Sequence, residues 1–120
     1  MLSQDTCRDK LSHCRRGFLA CSARALPTLL PADLRMRQGR LLVTVHDPVL
    51  ADQLVGQVVA VGIGRRPLLF LPGWRVVARG KLGPPDGDDN LALPLEPYQL
   101  EGATYGRAPT CEIDHLELRP

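Results

Sequence analysis

Aromatic side chains are scarce in this chain of 120 residues, where one Trp, two Tyr and two Phe make up 4% of the sequence. So few rings leave little on which bases could stack, and no run of basic residues accompanies them, so nucleic acid is not an expected partner. Lysine is nearly missing as well. Of the 15 basic residues all but Lys10 and Lys81 are arginine, and 13 acidic residues bring the net charge to +2. No long apolar run is present. The stretch Leu68 to Leu71 is boxed in by Pro67 and Pro72, far short of the roughly 20 residues that a membrane-spanning helix needs. Arg15 and Arg16 followed by Cys21 imitate a twin-arginine leader ending in a lipoprotein cysteine, but only Gly17 to Ala20 separate them. An export signal needs an apolar region of about 7–15 residues there. The expectation is a soluble cytoplasmic protein with no membrane partner.

Catalytic and metal-binding patterns are also missing. The four cysteines, at positions 7, 14, 21 and 111, form no Cys-x-x-Cys pair and match no histidine pair, so no metal site is expected. Cys111 and His115, beside Glu112, Asp114 and Glu117, come nearest and read as the end of a solvated strand. In a cytosolic chain these thiols are expected to be reduced. Ser22, His46 and Asp33 could be written as a triad, yet no nucleophile elbow surrounds the serine. Gly62-x-Gly64 lacks the third glycine and the following helix of a dinucleotide fingerprint.

What is present is alternation. In Gly73-Trp74-Arg75-Val76-Val77-Ala78-Arg79-Gly80, Trp74, Val76 and Ala78 share one face and Arg75 and Arg79 the other, the period of two that marks a strand. Further strands are expected over Phe18 to Ser22, Thr28 to Met36, Arg40 to His46 and Gln57 to Ile63, with Pro31 demanding a sheet edge or a bulge. Val58, Ala60 and Gly62 make one face of the fourth strand small enough for another surface to approach.

Two helices complete the reading. Ser3 can cap a first helix whose buried stripe holds Cys7, Leu11 and Cys14 at i, i+4 and i+7. Asp47 as N-cap, Pro48 at the first helical position, and Gly56 as the left-handed terminator predict a short helix from Pro48 to Val55. Asp47 would also occupy amide donors that would otherwise face an anion. The expected fold is mostly β: a six-stranded antiparallel split barrel in one domain. Residues 1–16 would form the N-terminal helix, 17–82 the barrel strands and short inserted helix, 83–109 a linker holding Pro94 and Pro97, and 110–120 a closing strand.

This order resembles the pyridoxamine 5′-phosphate oxidase-like flavin-binding family. Leu2 to Leu11 looks like its opening helix, Gly17-Phe18-Leu19-Ala20 like its first strand, and Leu26-Pro27-Thr28-Leu29-Leu30-Pro31 like its second. Arg40-Leu41-Leu42-Val43-Thr44-Val45 is similar to its third, and Gly73 to Gly80 to its glycine-tryptophan strand. The resemblance implies a homodimer with FMN or deazaflavin at the subunit interface, acting on a small-molecule substrate by hydride transfer. In it Leu30, Pro31 and Ala32 would offer backbone contacts to the flavin ring. Thr44, His46 and Asp47 would lie near the phosphate, with Trp74 on a neighbouring strand. The family's cation after the third strand is replaced here by His46-Asp47-Pro48-Val49. Arg65 and Arg66 stand under two readings, a substitute for that cation or a solvated turn. A degenerate barrel that serves as a ligand-binding or scaffold protein, for haem or another flat ligand, is the alternative to a flavin enzyme.

Overall fold

The capping signals at the start of the chain are used as the sequence writes them. In the computed structural model, which describes residues 1–67 and 71–106, helix α1 (Gln4–His13) begins at Ser3, whose hydroxyl accepts from the Thr6 amide at 3.2 Å. Cys7 and Leu11 are buried from it and Cys14 is half-buried, as their spacing requires. Helix α2 (Pro48–Leu54) begins at Asp47, whose carboxylate accepts from the amides of Val49 and Leu50, and Gly56 follows it at φ 88°.

Six antiparallel strands close into a barrel in the order β1-β2-β3-β6-β5-β4. They are β1 (Arg16–Ala23), β2 (Leu26–Arg37), β3 (Arg40–Thr44), β4 (Val58–Arg65), β5 (Gly73–Leu82) and β6 (Ala92–Tyr105). Side chains alternate in and out, so Leu34, Leu41, Val43, Val61, Val76 and Leu95 fill an aliphatic interior, and no polar side chain is buried among the described residues. Helix α1 touches β2, β5 and β6, which are not all neighbours in the ring, so it lies across one mouth of the barrel. At the seam between β1 and β4 the backbones approach so closely that a Cβ on Gly17 would meet the Gly62 carbonyl at 2.7 Å.

Pro31 sits where the sequence demands. It lies in the first half of β2, which pairs with β1 on one side while β3 pairs only with Asp33 to Arg37, so that half is locally an edge. The linker expected over 83–109 is corrected, because β6 occupies most of it and is the longest strand. Its prolines are accommodated in two ways. Leu82 pairs with Leu95 and Gly80 with Tyr98, so Glu96 and Pro97 together oppose Lys81 in a bulge. Pro94 turns its missing N–H toward the end of β5, where its carbonyl accepts from the Gly83 amide at 2.8 Å. The sixth strand is therefore supplied by Ala92–Tyr105. The closing strand expected at 110–120, with Cys111 and His115, lies outside the described residues.

Candidate functional site

The outer face of β2 carries Asp33, Arg35 and Arg37, opposite in sense to buried Leu34 and half-buried Met36. Pairing in register sets Thr44, Leu42 and Arg40 of β3 beside them. These two outer faces form the floor of an open groove of about 940 Å³, bounded at one end by Cys14, Arg15 and Arg16 and at the other by the loop carrying Asp86, Asp88 and Asp89.

Charges in the groove are unevenly used. Arg40 is held twice, its Nη1 donating to Asp86 at 2.5 Å and its Nε to Glu96 at 2.7 Å, and these hydrogen bonds raise its pKa. Asp33 receives His46 Nε2 at 2.6 Å and lies 3.8 Å from Arg16 Nε. That histidine nitrogen carries the proton, since an ionised carboxylate only accepts. Arg15, Arg35 and Arg37 form no ion pair among the described residues. Their guanidinia are thus available to a ligand, and alternate residues on one strand face stand about 6.6–6.8 Å apart. A planar fork of donors suits phosphate or carboxylate oxygens. Leu42 and Ala92 supply the apolar part of the lining.

Of the residues singled out from the sequence, Thr44 and His46 line this groove and the others do not. Leu30 and Pro31 lie on the half of β2 that pairs with β1, and Ala32 points into the barrel. Asp47 is occupied in capping α2. Trp74 is on β5, across the six-strand ring from β2, with the Lys10 ammonium 4.4 Å from its ring centre. Arg65 donates to the Pro72 carbonyl at 3.0 Å, and neither it nor Arg66 lines the groove. The cations that sequence reasoning sought after β3 stand on β2 and at the start of β1. Their signal was present in the outward parity of Arg35 and Arg37, but it became a site only through the pairing of β2 with β3.

No family model matches this chain, and no curated protein matches it in sequence. Its structure is similar to the solved structure of the FAD binding protein from Mycobacterium smegmatis, with a TM-score of 0.71 at 18% identity, covering 87% of this chain and 95% of that one. The two share a fold. A flavin nucleotide fits the groove in two respects: its volume lies within the range of small-molecule sites, and unpaired arginines are present for a phosphate group. In one respect the groove is incomplete, because it is open and no aromatic side chain among the described residues lines it.

Among the described residues, no helix is long and apolar enough to cross a membrane, and no group of His, Cys, Asp or Glu could hold a metal ion. Cys7, Cys14 and Cys21 are free thiols, and burial pushes the pKa of Cys14 and Cys21 upward, with Lys10 partly opposing the shift at Cys14.

Proposed function

We propose that this protein binds a flavin nucleotide in the groove over β2 and β3, its phosphate held by Arg35 and Arg37. The observation that carries the reading is the pair of unengaged guanidinia on β2, Arg35 opposite Leu42 and Arg37 opposite Arg40, in the groove that Thr44 and His46 also line, set on the fold of a protein described as FAD binding. Thr44 would donate its hydroxyl to the same anion, and Leu42 and Ala92 would meet the ring. A bound flavin supplies hydride chemistry itself, so the chain's task is to hold the ring and screen it from water. The proposed activity is that of an oxidoreductase acting on a small conjugated substrate, with FMN, FAD and deazaflavin as the cofactors to compare.

A homodimer belongs to the same reading. The outer faces of β1, β2, β4 and β5 meet in rows set by the strand register, Pro31-Phe18-Gly62-Val77 and Leu29-Ala20-Ala60-Arg79. Phe18 is 55% and Leu29 67% exposed, which puts a contiguous apolar surface beside the basic rim of Arg79 and Lys81. A second copy seated there would cover it and could close the open side of the groove.

A purely binding role is the second reading, favoured by the openness of the groove and by the absence, among the described residues, of any buried polar or charged side chain. Titration with FMN, FAD and reduced deazaflavin separates these. Quenching that weakens on the order of tenfold in an Arg35→Gln, Arg37→Gln variant supports the flavin site. No quenching by any of them overturns it. Bound flavin that is never reduced or reoxidised by small donors and acceptors leaves the binding role.

A further inference from the structure

We propose that the loop between β5 and β6, residues 83–91, is an anionic lid on the groove, latched by Asp86 on Arg40 and released when an anionic ligand takes that guanidinium. The proposal rests on the reading of the groove as a phosphate site. Both ends of the loop are fixed. The Gly83 amide donates to the Pro94 carbonyl at 2.8 Å, while Asp89 receives the Leu91 amide on its side chain at 2.9 Å and the Ala92 amide on its carbonyl at 3.2 Å. Between them, from Pro84 to Asp88, no backbone hydrogen bond is formed among the described residues, and the tip is held by the side chain of Asp86 alone. Pro84 and Pro85 stiffen the arm that carries this tip, and Gly87 follows it.

Arg40 is built to exchange one anion for another. Its Nε is fixed by Glu96 of β6, so its Nη1 keeps its position when Asp86 leaves. Arg37 stands directly across the ladder from Arg40, an opposition of like charges that favours an anion between them. Asp86 now pairs with Arg40 alone, and Asp88 and Asp89 line the same groove without an ion pair among the described residues. The latch is cheap to open, because both of its side chains are more than a third exposed and such pairs are weak and screened by salt. A ligand with two adjacent anionic groups competes best, since it replaces Asp86 at Arg40 and engages Arg37 together.

Inorganic pyrophosphate is the probe, with binding measured by calorimetry and loop motion by ¹⁵N relaxation of the Gly87 amide, in the parent, in Asp86→Asn and in the Arg35→Gln, Arg37→Gln variant. The lid requires the Gly87 order parameter to fall on saturation of the parent, to values below about 0.6 that mark flexible backbone. Asp86→Asn should show that mobility without ligand and bind pyrophosphate about two- to fivefold more tightly at low salt. Intact binding with an unmoved or stiffened Gly87 overturns the lid and leaves the phosphate site standing. Binding indifferent to the loss of Arg35 and Arg37 overturns the phosphate reading and the lid that rests on it. No binding by any of the proteins overturns both.

Discussion

Ala25 occupies a backbone conformation that suits glycine. It and Arg24 form the turn between β1 and β2 with φ of 64° and 54°, the left-handed pair that two-residue hairpins use and that Asn-Gly ordinarily fills. A Cβ there costs roughly 1–2 kcal/mol, against which glycine's extra chain entropy takes back about 0.5–1 kcal/mol. Ala25→Gly should therefore stabilise the fold by about 0.5–1 kcal/mol, read as a higher urea midpoint at unchanged slope. Cys14 gives a second residue-scale expectation. Burial raises its pKa above the ordinary 9.0, so the fold favours the protonated thiol. The stabilisation is complete below that ordinary value and is lost as the pH rises through the folded one. Melting temperatures taken on either side of 9.0 should fall less in Cys14→Ala than in the parent. The buried thiol of Cys21, shifted the same way, keeps the variant from becoming flat.

Each element is set by signals of different reach, and α2 shows the shortest. Asp47→Ala removes the acceptor for two amides and should cost about 0.5–2 kcal/mol, while Asp47→Ser restores most of it, as thermal unfolding of the three proteins would record. Such local chemistry is why both helices, the two-residue turn at Gln38 and Gly39, and β1 to β5 were legible from the sequence. Alternation alone told Leu41, Val43, Val59 and Val61 from their outward neighbours. Strand β6 was not legible, because Pro94 and Pro97 read as breaks when taken by themselves. What admits them is tertiary: a bulge opposite Lys81, and a stretch of β6 beyond the reach of β5. The groove was half legible for the same reason. Thr44 and His46 were named through the family resemblance, whereas Arg37 beside Arg40, and Asp86 on Arg40, depend on register and on the loop between β5 and β6.

At the scale of the whole molecule, the barrel has two outer surfaces of opposite character. The β2–β3 side is charged and grooved. The surface running from the first half of β2 over β1 to β4 and β5 is apolar, with Val58, Leu29 and Phe18 all more than half exposed. Monomers rarely leave such a surface uncovered, and its centre pairs one large ring with two small neighbours, Gly62 and Ala60, where a Cβ added at Gly62 meets nothing within 4 Å. That space admits an apolar side chain from a second copy. Phe18→Glu should leave the barrel intact, because the side chain points outward and its neighbours in the core are unchanged. It would place a charge in the centre of the proposed contact, between Pro31 and Gly62. Sedimentation velocity at micromolar concentration should then show the parent as a dimer and Phe18→Glu as a monomer with the same far-ultraviolet circular dichroism. A parent that sediments as a monomer would sink the dimer. If the variant also loses flavin quenching while Arg35 and Arg37 are untouched, the second copy completes the site; if quenching survives, the groove binds its ligand within one chain.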